Sequence, residues 1–159
     1  MRQHTIKYHA ILFDLDGVLV DSLSLIERIL CGWVAAHGLD ADKAVELSHG
    51  RRDIDVVRAI APHLDAEAES RRIVEREEHD FDGVRATRGT SRLLSALPAN
   101  AWATVTSGTR AVAQGRLAVA GLPQPKLLVA ADDIKHGKPH PEGYLTAACS
   151  VRHPLNASS

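Results

Sequence analysis

The stretch "AILFDLDGVLVDS", Ala10 to Ser22, decides how the rest of the chain is read. From Tyr8 to Phe13 it carries a short apolar run bounded by a Gly turn, which suits a buried strand of a parallel sheet. Asp14 then falls at the carboxyl end of that strand, and in open α/β sheets ligands bind outside that end. Asp16 follows one residue later, so negative charge is concentrated whether the strand continues or a turn at Asp16-Gly17 splays the two acids around one pocket. Such a pair calls for a cation or a shared proton to offset repulsion, and hard oxygen ligands suit Mg²⁺. One acid can attack phosphorus while the other moves a proton. Taken alone, "DLDG" reads equally as a surface turn. A calcium loop does not fit, because the twelfth position counted from Asp14 is Leu25 rather than a bidentate Glu, and a strand precedes it.

Downstream of Ser22, as far as about His79, strand alternation gives way to apolar residues at helical spacing, among them Leu23, Ile26, Ile29, Leu30 and Trp33. Gly38, Gly50, Pro62 and Asp65 divide this block into expected helices over 22–37, 41–48, 53–61 and 65–80. An α/β pattern then resumes. It comprises a helix over Gly89–Leu97, a strand over Trp102–Thr106, a helix over Arg110–Ala120, an apolar run over Lys126–Ala130 and a further helix after Pro141. The tail from Cys149 to Ser159 shows no strand. There is no internal repeat and no low-complexity linker, so the helical block reads as an insertion within one architecture.

Two further stretches carry chemistry. In "WATVTSGTR", Trp102 to Arg110, an apolar strand ends in hydroxyls and a Gly before a helix, where the Thr106 hydroxyl and the Ser107 and Gly108 amides can bind phosphate; a plain helix N-cap is the competing reading. In "DIKHGKPHPEGY", Asp133 to Tyr144, Lys138 is held between a Gly and a Pro at the opening of a helix, where it can neutralise phosphate and a nucleophilic acid. A solvated surface lysine is the alternative. His136 and His140 are four apart, but Pro139 between them argues against a helical zinc pair.

Composition sets the outer bounds. With 159 residues, 45% of them apolar and 25% charged, the chain suits a soluble domain with one core, and a net charge of −1 with both signs interspersed leaves no field for nucleic acid or an anionic membrane. The polar N-terminus lacks a secretory apolar core and no run is long enough to span a bilayer, so a cytoplasmic location is expected. Cys31 and Cys149 are too isolated for a disulfide framework or thiolate metal site and are expected to be buried.

In this order, "FDLDGVLVDS", "VTSGTR" and "GKPHPEGYL" resemble the haloacid dehalogenase superfamily, specifically its phosphatases with a small helical cap inserted after the first motif. The resemblance implies an α/β fold: a Rossmann-like parallel sheet from 1–21 and 86–159, with a helical cap over 22–85. It implies Asp14 as nucleophile, Asp16 as general acid/base, Thr106, Ser107, Gly108 and Lys138 around the phosphate, and Mg²⁺ between Asp14 and the Asp16 main-chain carbonyl. "SHGRRDIDVVRAIAP" and "ADDIKHGKPHPEGYL" further resemble the glycerol phosphate and 2-deoxyglucose-6-phosphate phosphatases, which places His49, Gly50 and Arg52 of the cap towards a small sugar or polyol phosphate. A turn with solvated basic residues is the alternative for that cap segment. The family pattern continues to a later strand with an acidic motif, whereas "CSVRHPLNASS" holds no Asp or Glu. A C-terminally truncated sheet, an exposed strand edge and weakened Mg²⁺ binding and turnover are therefore expected. A phosphomutase of the same superfamily and an inactive phosphate-binding or assembly module are the alternative functions.

Overall fold

The computed structural model of the chain describes residues 8–152. In chain order it contains β1 (Ile11–Phe13), β2 (Val20–Asp21), α1 (Leu23–Ala36), α2 (Ala41–Ser48), α3 (Asp53–Ile60), α4 (Ala66–His79) and β3 (Arg85–Ala86). There follow α5 (Thr90–Ala96), β4 (Trp102–Val105), α6 (Arg110–Val119), β5 (Leu128–Val129), a 3-10 turn at Ala131–Asp133 and α7 (Glu142–Arg152).

A three-stranded parallel sheet runs in the order β1-β4-β5, with Ile11 opposite Trp102 and Thr104 opposite Leu128. The central strand β4 is buried along its whole length, as a strand covered on both faces must be. The expected strand from Tyr8 begins instead at Ile11, whose amide donates to the Ala101 carbonyl at 2.9 Å. β4 offers β1 partners only from Trp102 to Thr104, and Tyr8 lies half exposed beyond them. Among the described residues β1 is an edge strand with three half-buried residues.

On one face α7 packs closely, because Gly143 has no Cβ; one built there would stand 3.0 Å from Val105 Cγ1. That contact closes a small cluster of Val105, Val129 and Ala147. The larger core runs without a break from Leu94, Trp102, Ala113 and Leu117 through Leu15 and Leu19 into Leu25, Trp33, Val57 and Ile73 of the helical insertion. Insertion and sheet thus share apolar contacts and pack as one body.

The four inserted helices lie within about one residue of their expected positions. Two of them have side-chain N-caps, Asp40 accepting from the Lys43 amide at 3.1 Å and Asp65 from the Ala68 amide at 3.0 Å. Between α1 and α4, the Trp33 indole N–H donates to Glu69 at 2.9 Å inside the core. The antiparallel ribbon of β2 and β3, with Val20 opposite Ala86, ties together the places where the chain leaves and re-enters the sheet. Two residues a side carry no periodicity, so the sequence did not announce it. Cys31 is partly buried and Cys149 exposed on α7, so the expectation of two buried cysteines is corrected. Among the described residues no helix is long and apolar enough to cross a membrane.

Candidate active site

A cavity of about 330 Å³ opens between the inserted helices and the carboxyl end of the sheet. Its lining includes Asp14, Asp16, His49, Gly50, Ser107, Gly108 and Lys138. These come from separate connections, and the parallel order of the strands is what gathers the loops at one end.

Asp14 is the first residue past β1, and its Oδ1 accepts from the Leu15 amide at 2.8 Å and sits 2.7 Å from Lys138 Nζ. Both contacts fall on the same oxygen, and Oδ2 has no protein partner among the described residues. Lys138 also points at the Val105 carbonyl, 3.4 Å away, and lies 5.5 Å from the centre of the Tyr144 ring. Its loop is fastened by Glu142, whose carboxylate accepts from the Lys135 amide at 2.8 Å and the His136 amide at 3.0 Å. Those amides, together with His136, draw the Glu142 carboxyl down to about 2. Pro139 keeps His136 and His140 off a helix, as anticipated, yet the loop gathers their ligand atoms and those of Glu142 within 4.8 Å. Because the Glu142 carboxylate is already engaged by two amides, this group reads as the fastening of the Lys138 loop.

Asp16 sits in a tight loop whose buried Leu15 and Leu19 anchor it in the core. Gly17 adopts a φ of +75°, and its amide donates to the Val20 carbonyl at 2.8 Å. Asp16 Oδ1 accepts from the Ser22 hydroxyl at 2.6 Å and from Arg116 Nη1 at 2.9 Å. Arg116, which is 1% exposed, turns Nη2 to Glu77 of α4 at 2.6 Å. Burial pushes the Glu77 carboxyl up, against the pull of Arg116. Burial works against the Arg116 cation too, but Asp16, Glu77 and Asp53 outweigh it and hold its pKa above the ordinary value. Asp53, at the start of α3, lines the same cavity; burial and the charge of Glu77 push its carboxyl up to about 8.

The remaining expected residues divide. Ser107 and Gly108 line the cavity, with the Ser107 hydroxyl donating to the Gly50 carbonyl at 2.7 Å and so joining the loop after β4 to the inserted helices. Thr106 is 1% exposed, lies outside the lining, and accepts from the Gly108 amide at 3.2 Å, which braces the loop from beneath. His49 and Gly50 line the cavity, while Arg52 lies outside its lining. The Arg52 guanidinium grips Asp55 through two hydrogen bonds of 2.7 and 3.1 Å and lies against Gly137. Arg51 takes its place in the lining. Arg51, Asp53, Glu77 and Arg116 were not singled out in the sequence. The signal for the last two was there: each occupies a core-facing position of an amphipathic helix, beside Ile73 on α4 and between Ala113 and Leu117 on α6.

Residues 11–153 match the family described as haloacid dehalogenase-like hydrolase. Hexitol phosphatase A of Escherichia coli is 41% identical over 142 residues, covering 86% of this chain and 66% of the relative. Glycerol-1-phosphate phosphohydrolase 2 of Saccharomyces cerevisiae is 32% identical over 158 residues, covering 96% of this chain and 63% of the relative. The chain thus spans a little under two thirds of the length of these relatives. A solved hydrolase from Pseudomonas syringae superposes with a TM-score of 0.75 at 25% identity, covering 92% of this chain and 72% of the other.

Proposed function

The chain belongs to the haloacid dehalogenase-like hydrolases, and from that membership and the cavity we propose that it hydrolyses the phosphate ester of a small sugar or polyol. The observation that carries the reading is the 2.7 Å contact between Lys138 Nζ and Asp14 Oδ1 at the carboxyl end of the sheet. A cation there orients a carboxylate and offsets the charge of an incoming phosphate. The names of the hexitol and glycerol-1-phosphate relatives support a polyol ester. A cavity of about 330 Å³ suits a ligand of that size.

In the reaction proposed, the Asp14 carboxylate attacks phosphorus, forming an aspartyl-phosphate as the bond to the sugar oxygen breaks. Asp16 gives its proton to the departing alkoxide, then takes one from the water that attacks the aspartyl-phosphate. Inorganic phosphate leaves and both carboxyl groups return to their starting states. Lys138 and the Ser107 and Gly108 amides hold the phosphoryl oxygens, while Thr106 supports that loop. The inserted helices, joined to the sheet through Ser107 and Gly50, exclude bulk water.

A divalent ion, Mg²⁺ in our reading, fits two oxygens that the protein leaves open. Asp14 Oδ2 has no partner among the described residues, and none of the loop's main-chain hydrogen bonds ends on the Asp16 carbonyl. Bound there, the ion would withdraw charge from the phosphoryl group.

Incubation of the chain with hexitol and glycerol phosphates and Mg²⁺ is expected to release inorganic phosphate, with acid quenching trapping phosphate on Asp14 and Asp14→Asn abolishing both. A folded protein that releases no phosphate and carries no label on Asp14 would overturn the proposal. So would conversion of a sugar phosphate to its isomer without net phosphate release, which is the outcome expected of a phosphomutase.

A further inference from the structure

Asp16 can serve as acid and base only if one of its oxygens faces the substrate reproducibly, and a surface carboxylate rotates freely about its χ angles. Here Oδ1 is held by two donors from different directions, the Ser22 hydroxyl at 2.6 Å and Arg116 Nη1 at 2.9 Å. Oδ2 has no protein partner among the described residues, and Asp16 lines the cavity. Ser22 is 2% exposed and Arg116 1% exposed, so neither donor competes with bulk water.

Arg116 in turn is fixed from the other side. Its Nη2 donates at 2.6 Å to Glu77, a residue of α4 that is 4% exposed, while Nε makes no hydrogen bond. A guanidinium with two anchors on opposite ends of its fork cannot swing without breaking one of them. Glu77 belongs to the inserted helices and Asp16 to the loop after β1, so the cation spans the two walls of the cavity.

We propose that Arg116 is a positioning residue: it holds Asp16 in its proton-transferring orientation, and Glu77 holds Arg116 in the only arrangement that reaches Asp16 while the inserted helices cover the cavity. This rests on the role of Asp16 proposed above. The rival account is that Arg116 and Glu77 merely fasten the helices to the sheet, as buried ion pairs do elsewhere.

Leaving-group chemistry separates the two. Breaking the ester of a polyol needs a proton on the departing alkoxide, whereas p-nitrophenyl phosphate releases a stabilised phenolate that needs none. Asp16 also acts in the later hydrolysis of the aspartyl-phosphate, so the informative quantity for the aryl ester is the first-turnover release of nitrophenolate in a rapid-mixing experiment. Arg116→Met is expected to lower kcat for the polyol phosphate on the order of 100-fold with little change in KM, and the first-turnover aryl rate less than about 3-fold. Glu77→Ala should show the same selectivity at about 10-fold. Should the buried variants fail to fold, Ser22→Ala removes the other donor to the same oxygen and must give the same selective loss. Equal losses on both esters, or a rise in KM alone, overturn this proposal and leave the hydrolase reading intact. Absence of turnover by the unaltered chain overturns both.

Discussion

Gly115 sits in the middle of α6, one residue before Arg116, and a Cβ built there would stand 2.5 Å from Cζ and 2.8 Å from Cε1 of Phe81. Carbon atoms pack best at about 3.5–4.0 Å, so the overlap is on the order of 1 Å. Phe81 lies between α4 and β3, and its ring is packed against the core, which limits its retreat. Two effects then oppose each other in Gly115→Ala. Helix propensity favours alanine by about 1 kcal/mol, while overpacking costs roughly 1–3 kcal/mol. The expected net result is a loss of about 0–2 kcal/mol in denaturant unfolding. The same substitution placed in a Phe81→Ala background meets no ring and should instead stabilise by about 1 kcal/mol. The substitution is therefore unfavourable in one background and favourable in the other, with a coupling of about 1–3 kcal/mol in the double-mutant cycle. A stabilising Gly115→Ala in the unaltered chain would refute the reasoning, since the ring would then not be wedged against α6.

Two further outcomes test the buried charges. The Asp53 carboxyl moves from an ordinary 3.8 to about 8 in the folded chain, chiefly because burial disfavours its anion. The folded state therefore keeps a proton that the unfolded state releases, and stability falls as pH rises from about 4 to about 8. Asp53→Asn, which cannot ionise, should match the unaltered chain near pH 4 and exceed it near pH 9; unfolding midpoints at the two ends decide this. Trp33→Phe removes the indole N–H that reaches Glu69 at 2.9 Å, leaving that carboxylate oxygen with His37 Nε2 at 3.4 Å. A loss of about 1–3 kcal/mol in thermal unfolding is expected, read by circular dichroism.

What the sequence disclosed depended on how far each feature reaches along the chain. The inserted helices were legible because each carries its own signals: an apolar stripe, an Asp cap at positions 40 and 65, and glycines such as Gly38 at the breaks. Strand length was not legible, since β1 extends only as far as β4 supplies partners. The β2–β3 ribbon joins Asp21 to Arg85 at 2.6 Å, and nothing within either two-residue stretch marks it as a strand. Among the site residues, Asp14 and Lys138 stood out because a short motif surrounds each. For Arg52 the sequence did not mark its partner: Asp55, three residues on, pairs with it at 2.7 Å.

Arg116 shows a kind of signal that motif reading passes over. An arginine on a helix is ordinarily a solvated side chain, but the buried face of α6 runs through Val112, Ala113 and Leu117, and position 116 lies on it. On α4 the buried positions are Ala66, Glu69, Ile73 and Glu77, a helical spacing in which two acids stand where apolar residues would be expected. An unpaired charge in a core is too costly to persist, so each such position demands a hydrogen-bond donor or an opposite charge. Trp33, His37 and Arg72 answer Glu69, and Arg116 answers Glu77. Matching the misplaced charges between amphipathic helices would thus have put α4 against α6 before any coordinates were known. It would not have supplied the third partner, Asp16, which lies on a loop rather than a periodic element and whose pairing with Arg116 spans 100 residues of sequence. That third contact is what turns a pair able to fasten two helices into one that also acts on the cavity.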